Sequence, residues 1–246
     1  MRHIFIINPK AGQGGSVQRI QTLAEHLGQR HHIETLTLLT HGPGHATTLA
    51  RSLAETGEAL RLYACGGDGT INEVANGIAG FTNAAMTAIP TGLGNDFLKN
   101  FGADAEKFND PEQLWDGPVT PLDLIDCNGR YYGGGFLPVR EASMTDGVLN
   151  TLVVKQVTRR AFTRFVAPYS KGEYWRFPQY AQSYTAKEIR ITSDEDIVTC
   201  LDGEIFRFRD VTFRLSDKKL NFFAPKGASP DATFTPIDQQ QRKNSL

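Results

Sequence analysis

The sequence predicts an α/β protein in which an N-terminal parallel-sheet domain is followed by a C-terminal β-rich, β-sandwich-like domain. Over the first 90 residues, short apolar runs alternate with stretches of helical periodicity, as a parallel sheet covered by helices requires. Beyond residue 121, apolar and polar residues alternate, which is typical of half-buried strands. We therefore predict an α/β domain over residues 1–121, a β-rich domain over 122–226 and a polar tail over 227–246.

Four apolar runs in the first half, residues 4–7, 36–39, 62–65 and 86–89, predict buried strands. A helix is expected after each of the first three strands, because apolar residues recur there at spacings of three and four. These residues are Val17, Ile20, Ala24 and Leu27, then Ala46, Leu49, Ala50 and Leu53, then Ile71, Val74, Ala75 and Ile78. Ser16 is the expected cap of the first helix, and Gly57 the expected end of the second.

The second half contains five further candidate strands, residues 149–155, 188–192, 197–201, 205–209 and 211–215. One amphipathic stretch, with Phe162, Phe165, Val166 and Tyr169 at helical spacing, predicts a helix, although Pro168 interrupts the pattern. The basic and aromatic residues of this stretch suit either an interfacial patch or a core helix with a solvated basic face.

Composition restricts the class of protein and of partner. Hydrophobic residues make up 40% of the chain and charged residues 22%, values typical of globular proteins. With a net charge of −1 there is no overall basic character, so a nucleic-acid partner is disfavoured. The three cysteines, Cys65, Cys127 and Cys200, are far apart, and no apolar run is long enough to cross a membrane. We expect a cytoplasmic protein whose membrane contact, if any, is peripheral.

Three glycine-rich loops, residues 8–15, 66–72 and 91–95, follow predicted strands and should meet at one edge of the sheet. Glycine permits close backbone approach, and the N–H groups of a following helix attract phosphate oxygens. The loops are therefore predicted to cradle a polyphosphate, although the first alone would also suit an ordinary turn. Asp68 lies within the second loop, where a carboxylate beside phosphates implies Mg²⁺ or a proton relay.

The second and third loops resemble the catalytic domain of bacterial diacylglycerol kinases and related lipid kinases. The resemblance rests on residues 66–74, GGDGTINEV, and residues 90–97, PTGLGNDF. It extends over nearly the whole chain, through Asn8-Pro9, Thr40, residues 121–123, residues 132–135, Asp146-Gly147 and residues 201–204. NAD kinases share the GGDGT core, whereas the Asn72-Glu73 pair and the residues 94–97 favour the lipid kinases.

The resemblance implies ATP, Mg²⁺ and a lipid hydroxyl acceptor, with diacylglycerol converted to phosphatidic acid in phospholipid biosynthesis. A sphingoid base or another glycerolipid is the alternative acceptor, and an NAD kinase-like phosphotransferase the alternative class. Peripheral membrane association is implied, and a homodimer is left open. The implied nucleotide contacts are Asn8, Pro9, Lys10, Ala11, Gly12, Thr40, Gly66, Gly67, Asp68, Gly69, Thr70, Ile71, Asn72, Gly92, Leu93, Gly94 and Asn95.

The resemblance also implies roles for acidic residues. Asp68, Asp96 and Asp123 are expected around the active-site Mg²⁺, partly through water, and Ser143, Asp146 and Val148 at a second, structural Mg²⁺ site. A helix-terminal acid, a linker acid and an Asp-Gly turn are the simpler interpretations of Asp96, Asp123 and Asp146. Asp202 is implied as the catalytic base, with Glu204 as second choice. From the residues alone, Asp202-Gly203 is a hairpin turn.

The chain departs from the family pattern twice. Leu93 stands where the family usually has Thr, which removes one hydroxyl contact to the nucleotide. Between Asp123 and Gly133, several tens of residues of the family pattern are missing, including part of the expected acceptor pocket. A nucleotide-binding pseudo-kinase with reduced or no activity is therefore an alternative function.

Overall fold

The computed structural model describes residues 1–12, 15–124, 129–201 and 204–230. The first half follows the predicted order of strands and helices. The strands are β1 (Arg2–Ile7), β2 (Thr35–Leu39), β3 (Leu60–Gly66) and β4 (Ala84–Pro90), and they alternate with α1 (Ser16–His31), α2 (His45–Ala54) and α3 (Asp68–Ile78).

After β4 come the short helix α4 (Asp96–Lys99), two 3₁₀ helices (Gly102–Asn109 and Pro111–Gln113) and strand β5 (Val119–Asp123). The second half contains β6 (Leu149–Val154), α5 (Arg159–Ser170), a 3₁₀ turn (Tyr174–Arg176), β7 (Ala181–Ala186), β8 (Glu188–Leu201), β9 (Glu204–Arg214) and β10 (Lys219–Phe223). This arrangement confirms a mixed α/β fold with a β-rich C-terminal half.

In the described part of the chain, six strands form one sheet in the order β2-β1-β3-β4-β10-β5. Strands β1 to β4 are parallel, β10 is parallel to β4, and β5 is antiparallel to β10. The first four strands are joined by helices because parallel neighbours need a crossover. Strand β10 comes from the end of the second half, so the chain returns to the first sheet.

The main core lies between this sheet and its helices. Strands β1, β3 and β4 are buried almost throughout, as expected for a sheet covered on both faces. The largest fully buried side chains include Phe5, Tyr63, Phe222 and Phe223. Phe5 stacks on Tyr63, with ring centroids 4.2 Å apart, so neighbouring strands interlock through aromatic rings.

The second half forms two smaller sheets within the described residues, β6 with β7 and β8 with β9, all antiparallel. Two pairs of predicted strands were wrongly divided. Residues 188–192 and 197–201 belong to one strand, β8, whose register shifts between Thr192 and Ile197, and residues 205–209 and 211–215 lie within or just beyond β9. The predicted helix is α5, which includes Pro168.

The predicted domain boundary at residue 121 falls inside β5, which pairs with β10 in the six-stranded sheet. The division into two domains therefore stays a prediction. Over the described residues, we find no helix that has both the length and the apolarity needed to span a bilayer.

Candidate functional site

Three loops lie side by side at the carboxyl edge of the sheet. They follow β1, β3 and β4, which are neighbours in the order β1-β3-β4, and each leads into a helix, α1, α3 or α4. This confirms the predicted strand before each loop and the predicted helices α1 and α3, whereas α4, after the third loop, was not predicted. In open α/β sheets such an edge is the usual place for a ligand.

The loops are packed against one another with little space between them. The N–H groups of Thr91 and Gly92 donate to the Gly66 carbonyl at 2.9 and 3.3 Å. A methyl group on Gly92 would lie 2.6 Å from the Cα of Gly67, and one on Gly12, at φ +76°, would lie 2.3 Å from the Thr91 carbonyl oxygen. At these positions glycine is therefore required by close approach between backbones.

The carboxylate of Asp68 joins the second loop to the third. Its Oδ2 accepts the N–H of Asp96 and its Oδ1 accepts the N–H of Phe97, both at 3.0 Å. These N–H groups belong to the first turn of α4, which otherwise has no partner for them within the helix. Asp68 thus fixes the beginning of α4. Each carboxylate oxygen can accept a further hydrogen bond, so Asp68 keeps the capacity to bind a hydrated cation.

A cavity of about 510 Å³ opens between the first and third loops. Its lining is mainly backbone and polar side chains: Ala11, Gly12, Gly15, Ser16, Arg19, Pro90, Thr91, Gly92, Asn95 and Asn109. Three of these residues, Ser16, Thr91 and Asn95, each have a buried side-chain oxygen (Oγ, Oγ1 and Oδ1) with no hydrogen-bond partner among the described residues. Buried polar atoms are nearly always paired in native proteins, so this cavity calls for a polar ligand.

Helix α1 begins at this cavity. Gly15 is its cap, in a left-handed conformation at φ 76°, and Ser16 is its first helical residue. The prediction that Ser16 caps α1 is therefore wrong, because no side chain accepts a hydrogen bond from the first turn. The unpaired N–H groups of a helix start, with Arg19 one turn further on, make this wall of the cavity attractive to an anion. Ser16, Arg19 and Asn109 were missed as site residues.

The remaining predicted nucleotide contacts border these loops. Asn8 donates from its side chain to Thr70 Oγ1 at 3.2 Å and accepts the N–H of Lys10 at 3.0 Å, which joins the first loop to α3. Thr40 is buried after β2, and its N–H donates to the Ile7 carbonyl. Leu93, in contrast, is 88% exposed at the tip of the third loop.

Glu73, one of the two residues that favoured lipid kinases over NAD kinases, holds α2. Its two carboxylate oxygens accept the N–H groups of Gly44 at 2.9 Å and Ala46 at 3.0 Å, at the first turn of that helix. A methyl group on Gly77 would lie 2.6 Å from Ala50 Cβ, so α2 and α3 are also in close contact. Glu73 therefore has a structural role, because it holds the start of α2 against α3.

Asp96 connects this site to the second half of the chain. Its Oδ1 lies 2.5 Å from Lys99 Nζ, and its Oδ2 accepts the N–H of Gly134 at 2.7 Å. Nearby, the Asn100 side chain accepts the buried Arg130 N–H at 3.1 Å. Helix α4 therefore holds the glycine segment 132–135, which was singled out in the sequence, beside the third loop.

Asp123 lies in a different environment from Asp68. Its side chain, 1% exposed, pairs with Lys219 on the neighbouring strand β10 and accepts the Gly147 N–H at 2.8 Å. The predicted second Mg²⁺ site forms a closed turn: Ser143 Oγ accepts the Thr145 N–H and Asp146 Oδ1 accepts the Val148 N–H, at 3.1 and 3.0 Å. Among the described residues, no three His, Cys, Asp or Glu side chains are grouped to hold a metal.

The predicted base cannot be placed. Asp202 lies outside the described residues, as do residues 125–128, where the missing segment was inferred, and only the backbone of Glu204 is described, as the first residue of β9. The catalytic assignments of Asp202 and Glu204 stay predictions.

Comparison with known proteins agrees with this geometry. A putative lipid kinase, YtlR, of Bacillus subtilis (strain 168) is 37% identical over 99 residues, which are 39% of this chain and 32% of that protein. A diacylglycerol kinase of the same strain is 34% identical over 139 residues, 54% of this chain and 45% of that protein. The chain thus spans less than half the length of either relative.

A crystal structure of a putative diacylglycerol kinase from Bacillus anthracis str. Sterne superimposes with a TM-score of 0.73 at 19% identity, over 93% of this chain and 98% of that one. At this identity the likeness shows the fold. Residues 118–224 match the YegS C-terminal NAD kinase beta sandwich-like domain. The diacylglycerol kinase catalytic domain matches residues 2–127, more than half of the 246 residues, and the chain therefore belongs to that family.

Proposed function

We propose that this chain is an ATP- and Mg²⁺-dependent lipid kinase that transfers the γ-phosphate of ATP to a lipid hydroxyl, with diacylglycerol as the acceptor. The observation that carries the proposal is the polar cavity between the first and third loops, whose residues Ser16, Thr91 and Asn95 each have a buried side-chain oxygen with no hydrogen-bond partner in the described part of the chain. A phosphorylated nucleotide offers both anionic oxygens and hydroxyl groups, which would satisfy these atoms. The start of α1 and Arg19 supply the complementary charge.

The residues of the site suit phosphoryl transfer, which asks mainly for positioning and neutralisation of charge. Glycine backbones bring N–H groups close to the phosphates, and Asp68 is held rigidly where the second and third loops meet. Bound Mg²⁺ would neutralise the phosphate charge. Asp68 and Asp96 have N–H partners on both oxygens, which favours contact with the hydrated ion through water.

The assignment to lipids rests on the family and on the names of its relatives, which include lipid kinases and diacylglycerol kinases. With diacylglycerol as acceptor, the product is phosphatidic acid, a precursor in phospholipid biosynthesis. The acceptor is insoluble in water, so we propose a cytoplasmic protein that contacts the membrane peripherally. Pairing into a homodimer is a further proposal.

The first experiment incubates the purified chain with γ-labelled ATP, Mg²⁺ and a total lipid extract, followed by chromatography of the lipids. A labelled lipid that comigrates with phosphatidic acid is expected. A parallel incubation with NAD in place of the lipid extract tests the NAD kinase-like alternative, which labelled NADP would indicate. The matched assay is thermal unfolding with and without millimolar MgATP, because a ligand that binds only the folded state raises the Tm. An unchanged Tm would contradict nucleotide binding, whereas a raised Tm without labelled lipid would indicate a pseudo-kinase.

A further inference from the structure

Lys99 lies on α4 at the border of the candidate site and was not among the predicted site residues. Its Nζ is 2.5 Å from Asp96 Oδ1, and its side chain is 34% exposed. A methyl group on Gly135 would lie 3.7 Å from the same Nζ. The ammonium group of Lys99 therefore lies beside the glycine segment 132–135, next to the carboxylate of Asp96.

The ammonium group of Lys99 is connected to Asp68 through Asp96. The second carboxylate oxygen of Asp96, Oδ2, accepts the Gly134 N–H at 2.7 Å, so this carboxylate is held from two sides. The backbone N–H of Asp96 donates to Asp68 Oδ2 at 3.0 Å. Lys99, Asp96 and Asp68 thus form one connected group where the second and third loops meet. A cation in this group has a fixed position relative to the loops that border the cavity.

The charge of this group favours a further contact for Lys99. Two carboxylates and one ammonium leave a negative charge at the place where the proposed function brings phosphates, which are themselves negative. A lysine ammonium has three N–H donors, of which the contact with Asp96 uses one. Because the side chain is partly exposed, the other donors can reach a bound ligand. An anionic oxygen suits these donors, and lysine binds phosphate as a point charge.

A second pair, Asp104 with Lys107, has the same spacing in the chain but a different position. Lys107 Nζ lies 2.7 Å from Asp104 Oδ1, and the Lys107 side chain is 42% exposed on the 3₁₀ helix that follows α4. Exposed pairs of this kind contribute little to stability. The two pairs match in chemistry and are similar in exposure, so it is the location of Lys99 beside the loops that distinguishes it.

We propose that Lys99 binds the terminal phosphate of ATP and holds it beside Asp68. The inference rests on the proposed lipid kinase function, which brings ATP to these loops, and it adds a residue that positions the group to be transferred. The ammonium group neutralises part of the phosphate charge, and Asp96 orients the ammonium group. No bond or proton of the transfer passes through Lys99, so its role is binding and positioning alone.

ADP lacks the terminal phosphate, so the ratio of the affinities for ATP and ADP isolates this contact. Isothermal titration calorimetry measures the Kd of MgATP and of MgADP for the whole chain, without lipid. Lys99→Gln should weaken MgATP binding about tenfold, as the loss of one charge-assisted hydrogen bond predicts, and should leave MgADP binding within about twofold of the wild type. Lys99→Arg keeps the charge and should keep the ratio close to that of the wild type.

The matched control is Lys107→Gln, which removes the ammonium group of the other pair and should leave both affinities unchanged. Urea unfolding establishes that each variant is folded, and Lys99→Met replaces Lys99→Gln if the latter is unstable. The proposal fails if Lys99→Gln weakens MgATP and MgADP binding equally, as a structural role would, if it weakens neither, or if Lys107→Gln weakens MgATP binding as much. If the wild-type chain binds neither nucleotide, the proposed function fails together with this contact. Wild-type binding of MgATP with an unchanged ratio in Lys99→Gln refutes the contact alone.

Discussion

Two carboxylates in the first half hold helix starts in the same way. Asp68 accepts one backbone N–H on each oxygen from the first turn of α4, and Glu73 does so for α2. Both belong to α3, five residues apart, and both are hydrogen-bonded to loops from neighbouring units. Only Asp68 lies where the second and third loops meet, so substitutions of the two residues can separate a structural role from the proposed role of Asp68 in phosphoryl transfer.

Asp68→Asn should abolish phosphoryl transfer, whereas Glu73→Gln should leave most of it. Each substitution replaces an accepting oxygen by an N–H₂ group, and each should reduce the free energy of unfolding by about 1–3 kcal/mol. Only the first removes charge beside the phosphates. Turnover with labelled ATP and urea unfolding are measured on both variants. If Asp68→Asn retains turnover like that of Glu73→Gln, Asp68 serves only to fix α4.

His3 should make stability depend on pH. It is 1% exposed, with Nδ1 2.9 Å from Tyr63 Oη. Burial, followed by the nearby Arg61 charge, lowers the pKa of His3 from 6.5 to about 4. Between pH 6.5 and 4 the unfolded chain therefore binds a proton that the folded chain does not, so the free energy of unfolding falls as the pH is lowered, by up to roughly 3 kcal/mol.

Urea unfolding at several pH values between 4 and 7 checks this prediction. His3→Gln should flatten the dependence relative to wild type. Tyr63→Phe should preserve it, because burial rather than the tyrosine contact is the main cause of the lowered pKa. A wild-type slope that survives in His3→Gln would assign the dependence to other groups.

At the scale of elements, the first and third loops depend on backbone contact at Gly12. Gly12→Ala places a methyl group against the Thr91 carbonyl, so the loops must separate and the cavity between them must change shape. We expect MgATP affinity to fall at least tenfold. Gly57→Ala is the matched control, since Gly57 has the same φ of +76° with no atom within 4 Å of the added group.

Both alanine variants bear the cost of a left-handed backbone, about 1 kcal/mol, and unfolding experiments should show it in each. Nucleotide affinity, measured by the shift of Tm with MgATP, should fall in Gly12→Ala alone. An equal fall in both variants would mean that general destabilisation, not the cavity, lowers the affinity.

Strands β1 to β4 and helices α1 to α3 could be predicted from sequence because each has a complete local pattern. Strand β10 could not, since its short apolar run ends a β-rich half and its partners, β4 and β5, lie far earlier in the chain. Strand β8 was divided because its register shifts between Thr192 and Ile197, which interrupts the alternation. The local sequence pattern predicts whether a segment forms a helix or a strand. The position of a strand in the sheet depends on pairing with strands far away in the sequence.

The candidate site, too, could be predicted from local sequence only in part. The glycine loops and Asp68 could be identified from the sequence because they belong to motifs with a characteristic spacing. Ser16 Oγ and Thr91 Oγ1, which are buried with no partner among the residues that the structure describes, could not be identified in this way, since burial without a partner is a property of the packed loops. The pairing of Asp123 with Lys219, 96 residues away, likewise depends on the register of β5 and β10.

At the scale of the whole molecule, the two halves differ in how well they cover apolar side chains. Of the exposed large apolar residues, most lie between residues 132 and 206, including Val198 at 59% and Ile205 at 71% exposure. Strands β8 and β9 contribute no residue to either described core cluster. Large exposed apolar surface usually marks a missing partner. The exposure of β8 and β9 is the result expected if a segment between Asp123 and Gly133 is absent, as the sequence indicates.

We therefore expect the chain to bind MgATP but to phosphorylate diacylglycerol slowly, below about 1 per second. Holding both reactants in line can supply roughly 7–11 kcal/mol of a barrier. In our proposal the nucleotide is held by loops packed to within van der Waals distance, and the inferred absence of a segment between Asp123 and Gly133 leaves the acceptor without part of its wall.

Insertion of a segment from a full-length relative between Ile125 and Asn128 tests this directly, with turnover on diacylglycerol and MgATP affinity measured side by side. The inserted segment should cover the exposed strands and grip the acceptor, so turnover should rise while nucleotide affinity stays the same. A glycine-serine insert of equal length is the control for added chain alone and should leave turnover low. If the chain as it stands already turns over at an ordinary kinase rate, the acceptor is held without that segment, and the exposed face of β8 and β9 must then have another purpose.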